Sequence, residues 1–264
     1  MTPIAASRVL SAARWNLDGQ RGALACGPLE GEAQAGPLSF GFAVTRWNGR
    51  AVDRIGVLNS PGPAGRAAAL VLAEAYVRGD DLVFQYEKLP PHNIAPQIYW
   101  RASCDEARRA ARIEMIVSVQ TDLLHSVPQF PIASSVLDAE LWHCAELWHS
   151  AERAADMFQR IEQRANIAPL TRAQSPTHLF AFRSATLGLT YAEMVHPSDF
   201  VWAQPVVARG EPVSVTSSLF PEHLEKGVIR RGRICGWFLP CENDLAVAVE
   251  LARQFIDEPL PLTT

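Results

Sequence analysis

The fold class of this chain rests first on residues 40–57, which read FGFAVTRW, then NG, then RAVDRIGV. The two outer segments have strand character, and Asn48-Gly49 between them accepts the positive φ angles of a type I′ turn. An Asn-Gly dipeptide between two such segments is the strongest short-range signal for a β-hairpin. The stretch therefore predicts two antiparallel strands joined by a tight turn.

Further strands are predicted on both sides of this hairpin. Residues 112–122 alternate in polarity, because Ile113, Met115, Val117, Val119 and Thr121 fall on one face of an extended chain. A period of two with one largely apolar face is typical of a half-buried strand. Strand character continues in residues 82–86, 97–101, 178–182, 187–195, 200–207, 213–217 and 228–239, the last of them broken at Arg231-Gly232.

Two segments predict helices instead. Residues 137–166 space their apolar side chains by three or four positions, which favours one long amphipathic helix; these side chains are Leu141, Cys144, Trp148, Ala151, Ala155 and Phe158. Residues 243–256 predict a closing helix with a capping side chain at its start and Pro259 after its end. The expected fold is α+β and β-rich, with antiparallel, sandwich-like sheets, one long central helix and a C-terminal helix.

Length and composition favour one globular domain over residues 1–264. The chain has 48% hydrophobic and 20% charged residues, so it can bury a sizeable core. Sandwiches and barrels reach roughly 200–250 residues as single units. If there are two lobes, the proline-containing connector at residues 167–176 is the best candidate boundary.

Charge and cysteine usage restrict the class of partner and compartment. A net charge of −4 and a pI near 6.0 give no long-range attraction for a phosphate backbone, so nucleic acid is not an expected partner. No apolar stretch approaches the roughly 18 residues that span a bilayer, and the first residues lack the order of a signal peptide. The five cysteines contain no C-x-x-C pair, which favours free thiols in a reducing compartment. The expected location is the cytoplasm.

Residues 191–199, YAEMVHPSD, hold the most suggestive polar group. Glu193 is expected on a strand, with His196 and Asp199 at the end of that strand, where sites are often built. A glutamate, a histidine and an aspartate can serve as general acid, general base and orienting group if burial shifts their pKa values towards neutrality. The alternative is ordinary turn chemistry, in which Asp199 only bonds nearby backbone.

Aromatic and basic side chains suggest ligand binding. The chain has seven tryptophans, whose rings suit core packing first and stacking on flat ligands such as sugars second. We expect Trp47 and Trp202 near a surface, and Tyr191 on the strand that carries Glu193. Arg231, in the one basic cluster, suits carboxylate or phosphate recognition by bidentate geometry.

No metal or cofactor is expected. Glu140 with His143 and Glu146 with His149 are Glu-x-x-His pairs that resemble metal-binding steps on a helix, but the sequence predicts no further helices to supply the other carboxylates. The proline-rich loop at residues 61–66 lacks both phosphate-binding glycine motifs, and its prolines lack the N–H groups that a phosphate needs.

Three functions remain open. The first is a sandwich that binds a small polar molecule such as a carbohydrate through Trp, Tyr and Arg side chains. The second is a hydrolase or isomerase using Glu193, His196 and Asp199 in a cleft with distant residues such as Tyr99, Arg101 or Glu114. The third is a structural protein that assembles through a sheet edge or an apolar patch.

Overall fold

A computed structural model describes residues 10–37, 39–62, 70–90, 93–147, 155–162, 167–174, 177–220 and 222–259. These residues form two β-sheets and one α-helix, α1 (Asp244–Asp257). The strands are β1 (Ser11–Ala12), β2 (Trp15–Asp18), β3 (Arg21–Cys26), β4 (Leu29–Ala35), β5 (Phe40–Trp47), β6 (Arg50–Ala51), β7 (Ile55–Ser60), β8 (Leu72–Arg78), β9 (Asp81–Tyr86), β10 (Ile94–Asp105), β11 (Ala110–Thr121), β12 (Phe130–Val136), β13 (Glu140–Cys144), β14 (Phe158–Ile161), β15 (Leu170–Thr171), β16 (His178–Ser184), β17 (Leu189–Val195), β18 (Phe200–Val206), β19 (Val213–Leu219) and β20 (Ile229–Pro240).

The two sheets stack as a sandwich. Sheet A has the order β14-β13-β16-β17-β20-β11-β10-β9-β8, with β1 paired to β10. Sheet B has the order β15-β18-β19-β12-β7-β5-β4-β3-β2, with β6 paired to β5. Every pairing between the described strands is antiparallel, and one apolar cluster holds buried side chains of both sheets. The expected antiparallel, sandwich-like architecture is confirmed.

Both local strand signals are confirmed. The hairpin at β5 and β6 turns at Asn48 and Gly49, whose φ angles are 48° and 75°, as a type I′ turn requires. Strand β11 covers the alternating segment and pairs over its length with β10 on one side and β20 on the other. Its expected half-burial is wrong, because residues 110–119 are buried on both faces of sheet A. Because β11 lies in the middle of sheet A, its alternate residues face the sandwich interior and the outer face of the sheet.

The long central helix expected over residues 137–166 is wrong. The described part of this range holds β13, a short 3₁₀ turn at Ala155–Met157 and β14. In β13, Leu141 packs in the core between the sheets and Cys144 packs on the outer face, so both faces of the strand are covered. A strand covered on both faces shows no alternation of polarity, and its apolar spacing imitates a helix. Glu140 and His143 therefore lie on a strand, and His149 lies outside the described residues.

The break expected at Arg231-Gly232 is also wrong, since β20 is one continuous strand. Gly232 is needed for close packing and not for a turn, because a Cβ there would lie 3.0 Å from a ring carbon of Phe220. Gly236 is still more crowded, with a would-be Cβ 2.3 Å from the ring of Tyr191. Both glycines let side chains of the interior approach the backbone of β20.

The C-terminal helix is confirmed, and it covers part of the outer face of sheet A. Leu245, Val249, Ala252 and Phe255 of α1 pack with side chains of β16, β17 and β20 in a second apolar cluster. Asn243 precedes the helix but does not cap it with its side chain, contrary to expectation. Asp244 is instead held by Arg183, at 2.6 Å.

Two further expectations concern the cysteines and membrane-spanning segments. All five cysteines are free thiols, as expected. Among the described residues, no helix has the length and apolar character to cross a membrane.

Candidate functional site on the outer face of sheet A

The outer face of sheet A is divided into an apolar half and a polar half. Helix α1 packs on the apolar half, over β16, β17 and the C-terminal part of β20. The other half is formed by β8, β9, β10, β11 and the first residues of β20. It carries the side chains that we call the polar face: Tyr76, Gln97, Tyr99, Arg101, Ser118 and Arg231.

Strand register places the members of the polar face in adjacent rows. In one row, Gln97 of β10 lies opposite Ser118 of β11, which lies opposite Arg231 of β20. In the next row, Tyr99 lies opposite Ile116 on one side and Val83 on the other. Directly opposite residues in a sheet have Cβ atoms about 4.5–5.5 Å apart, so these side chains share one small area.

The floor of the polar face is apolar. Val83, Tyr99 and Ile116 form a small buried cluster of their own, with Tyr76 packed against it. Val83 and Ile116 are fully buried, whereas Tyr76, Gln97, Arg101 and Arg231 keep part of their surface exposed. The site is therefore a dry base bordered by polar groups that reach solvent.

A chain of hydrogen bonds orients the central side chains. The Tyr99 hydroxyl donates to Gln97 Oε1 at 2.6 Å, and Gln97 Nε2 donates to the Tyr76 hydroxyl at 3.4 Å. Burial raises the pKa of the Tyr99 phenol above its usual value, and the neighbouring Tyr76 adds to this shift. The phenol is thereby kept neutral and able to donate a hydrogen bond.

Ion pairs fix the border of the polar face. Arg101 donates from Nε and Nη2 to the two carboxylate oxygens of Asp81, both at 2.8 Å. Arg112 makes a similar two-point contact with Glu258, both bonds at 2.7 Å, and also reaches Glu114 Oε2 at 3.1 Å. Bidentate pairs of this kind are directional, so they hold the end of α1 and the rim of the site in one arrangement.

Glu193 and Tyr191 lie elsewhere, inside the sandwich. Both are fully buried, and Glu193 accepts hydrogen bonds from Ser134 of sheet B and from the Tyr191 hydroxyl, the latter at 3.2 Å. His178 Nε2 lies 3.5 Å from Glu193 Oε1 and 3.1 Å from the hydroxyl of Ser217. Burial, together with Glu193, raises the pKa of Tyr191 well above its usual value. This polar group links the two sheets across the core.

His196 and Asp199 lie outside the sandwich core, in the loop after β17. The ring of His196 packs edge-on against Phe255 of α1, 6.1 Å between ring centroids. Its Nδ1 is 2.7 Å from the Ser198 hydroxyl, which donates to Asp199 Oδ1 at 2.9 Å. Asp199 Oδ2 also accepts from the backbone N–H of Arg233 at 3.0 Å. The structure therefore brings His196 near Asp199 and leaves Glu193 on the other face of sheet A.

The residues expected to bind a ligand are dispersed. Trp47 is only 2% exposed and packs against Phe238, so its expected surface position is wrong. Trp202 is half-buried on β18 of sheet B. Arg231 lies on the outer face of sheet A, and it is the one of these residues that belongs to the polar face.

This chain resembles known proteins in its fold. No family model matches the sequence, and no curated protein matches it. The α-N-acetylgalactosaminidase NagBb from Bifidobacterium bifidum, in a Gal-NHAc-DNJ complex, gives a TM-score of 0.51 at 11% identity, over 83% of this chain and 36% of that one. Its GalNAc complex gives a TM-score of 0.50. The Slr1438 protein from Synechocystis sp. PCC 6803 gives a TM-score of 0.46 at 9% identity, over 91% of this chain and 100% of that one.

The likeness is one of fold alone. The matched region spans only 36% of the length of NagBb. At 11% identity, no residue of the polar face is assigned from NagBb.

The sequence indicates some residues of the polar face but does not show that they lie together. Gln97, Tyr99 and Arg101 alternate along β10, and Ser118 falls on the polar side of β11. The sequence suggests Tyr99 and Arg101 only as distant residues that could converge with Glu193, His196 and Asp199 in a cleft. What joins them to Ser118 and Arg231 is the register between strands, which one sequence does not encode in a short motif.

Proposed function

We propose that this protein binds a small carbohydrate-like molecule on the polar face of sheet A. The observation that carries the proposal is the chain of hydrogen bonds from Tyr99 to Gln97 to Tyr76. Strand register places this chain beside Ser118 and Arg231. Ligand sites combine an apolar floor with a few fixed polar groups, and this half of the sheet has both.

The chemistry of these groups suits a sugar. Sugar hydroxyls donate and accept hydrogen bonds, as the Gln97 amide, the Ser118 hydroxyl and the tyrosine hydroxyls also do. The half-buried ring of Tyr76 offers flat apolar surface for the C–H face of a pyranose. The guanidinium of Arg231 supplies planar N–H donors to oxygen atoms.

Fold similarity gives limited additional support. NagBb, which has a TM-score of 0.50 or slightly above with this chain, has been solved in a complex with GalNAc. This complex is the reason for choosing carbohydrates as the first probes. The similarity covers only 36% of NagBb, so several sugars are tested.

The test is a titration of the full chain with GalNAc, galactose and glucose, followed by amide chemical shifts and by calorimetry. We expect millimolar affinity for at least one sugar, with shifts centred on β10, β11 and the start of β20. Replacing Gln97→Ala removes one oriented amide, and we expect binding to weaken about fivefold. Arg231→Ala removes charged donors, and we expect a loss of about tenfold or more.

Arg46→Ala is the matched control, because Arg46 is an exposed arginine of sheet B paired with Glu30 at 3.6 Å. Its affinity for the same sugar should equal that of the unmodified protein. Shifts that cluster on sheet B, or equal losses in Arg46→Ala and Arg231→Ala, would contradict the proposed site. Absence of binding by all three sugars would contradict the proposed ligand class.

A further inference from the structure

Strand β8 forms one edge of sheet A and carries Tyr76 of the polar face. Its one strand partner among the described residues is β9. It has seven residues, whereas the other terminal strands of the two sheets are shorter: four residues in β14, four in β2 and two in β15. An unpaired strand edge presents N–H and C=O groups that another strand can bind.

The edge carries few of the features that usually protect such strands. Natural edges are blunted by lysine, proline, bulges or a covering segment. The sequence of β8, LAEAYVR, contains neither lysine nor proline, and its one register shift lies between Leu72 and Glu74. Glu74, Val77 and Arg78 are exposed, with Val77 at 41%. Residues 74–78 are therefore a regular, accessible segment with an apolar side chain.

The turn after β8 decides which backbone groups point outwards. Arg78 and Asp81 flank the two-residue turn at 79–80, so the C=O of Arg78 and the N–H of Asp81 face each other. Hydrogen-bonding direction alternates along an antiparallel strand. Tyr76 and Glu74 thus bond inwards to β9, while Ala75 and Val77 direct their N–H and C=O groups to the free edge.

These outward groups restrict how a second copy of β8 can pair antiparallel to the first. Ala75 and Val77 must face outward groups of the other strand. One register sets Ala75 opposite Ala75, which places Glu74 opposite Tyr76. Another sets Ala75 opposite Val77, which places Glu74 opposite Arg78 twice and Tyr76 opposite Tyr76.

Charge selects the second register. Glu74 and Arg78 lie on the same face of β8, and the described part of the chain gives neither of them an ion pair. Opposite charges directly across a strand pair stabilise it, and like charges destabilise it. A twofold axis at Tyr76 forms two such pairs and buries Val77 against Ala75.

We propose that two copies of this chain associate through β8, antiparallel about a twofold axis at Tyr76. Glu74 of one protomer then faces Arg78 of the other, and the two A sheets continue into one. The two polar faces meet edge to edge, with Tyr76 of each protomer at the junction. This association does not depend on a bound sugar, so it is tested separately from ligand binding.

The test is a charge exchange followed by sedimentation equilibrium of the full chain without ligand. We expect the unmodified protein to be a dimer at micromolar concentration. Glu74→Arg and Arg78→Glu each create two like-charge contacts, and each should raise the dimer dissociation constant about tenfold or more. The double variant carrying both changes restores the opposite charges and should return the dissociation constant to nearly its original value.

Two outcomes of this experiment would overturn the proposal. One is an unmodified protein that remains monomeric over the micromolar range. The other is a double variant that dimerises no better than the single variants, since the shared disturbance of β8 would then explain the loss.

A disulfide scan measures the register independently. Directly opposite residues of a non-hydrogen-bonded pair have Cα atoms about 4.5 Å apart, within the range that a disulfide spans. Tyr76→Cys should therefore form an intermolecular disulfide under mild oxidation. Glu74→Cys is the control, because its two copies lie four residues apart, about 13 Å. Equal cross-linking of both variants, or of Glu74→Cys alone, would overturn the register.

Discussion

At the scale of single residues, His143 shows how burial in this sandwich affects ionisation. It lies on β13, and its ring is 4.7 Å from the ring of Phe180. Burial lowers the pKa of His143 from 6.5 to about 4, and the nearby His178 adds to this effect. The imidazole is therefore neutral in the folded protein over most of the accessible pH range.

This shift makes stability depend on pH in a defined direction. The folded-state pKa lies below the unfolded value, so the unfolded chain binds more protons between about pH 6.5 and 4. The free energy of unfolding is therefore unaffected by this shift above pH 6.5. It falls as the pH drops towards 4, by about 3 kcal/mol in total. We expect His143→Gln to flatten the pH dependence of the free energy of unfolding in that window.

Urea unfolding at a series of pH values measures this difference. Gln159→Ala is the control, because Gln159 is an exposed residue directly opposite His143 on β14 and its replacement removes no titrating group. If His143→Gln retains the slope of the unmodified protein between pH 4 and 6.5, burial of this imidazole does not control acid sensitivity.

At the scale of elements, β20 and β17 are packed closely enough to require a glycine. A Cβ on Gly236 would lie 2.3 Å from Cε2 of Tyr191 and 2.5 Å from its hydroxyl oxygen. The Tyr191 ring has little room to move, because Phe182 and Phe238 pack on it with centroid distances of 5.7 and 4.9 Å.

We expect Gly236→Ala to destabilise the protein by about 1–3 kcal/mol, the usual cost of overpacking a core. Gly232→Ala should cost less, because its nearest neighbour is a ring carbon of Phe220 at 3.0 Å. Thermal unfolding of the two variants compares them on the same strand. Equal losses would indicate that strand propensity, and not contact with Tyr191, explains the effect.

The elements also show what the sequence predicts well. Asn48-Gly49 and the alternation in β11 are local signals, and local chemistry alone decides them. The helix expected over residues 137–166 failed because β13 is covered by the core on one side and by the outer cluster on the other. Propensity and spacing do not distinguish such a strand from a buried helix.

The polar face could not be predicted from the sequence, for a different reason. Its members come from β8, β10 and β11, which are close in the chain, and from β20, which follows β11 by more than a hundred residues and pairs with it in sheet A. The motif at residues 191–199 looked compact in sequence, yet Glu193 faces the core and His196 faces α1. Neighbours along a strand alternate between faces, so proximity in sequence does not imply proximity in space.

At the scale of the whole molecule, burial controls access to the thiols. Cys26, Cys104, Cys144 and Cys235 are buried, whereas Cys241 is partly exposed. Burial raises the pKa of Cys26 and of Cys235 to about 12, and that of Cys144 to about 11. A thiol that stays protonated and shielded is a poor nucleophile.

We therefore expect one fast thiol and four slow ones when the native protein is titrated with Ellman's reagent. The fast phase should disappear in Cys241→Ser, and the slow phase should proceed at the rate of unfolding. Cys144→Ser serves as the control that keeps the fast phase. Rapid reaction of two or more thiols in the native protein would show that the sandwich opens more readily than its packing indicates.

Sheet A has one property with a consequence for biosynthesis. Strand β20, the last of the described strands, lies between β11 and β17. The ribosome synthesises the chain from its amino end, so β11 and β17 are made before β20, the strand that lies between them. Until residues 229–240 have been synthesised, β11 and β17 lack the strand that lies between them in sheet A. Sheet A therefore closes only after β20 has been added, and we expect holding chaperones to protect the open strand edges until then.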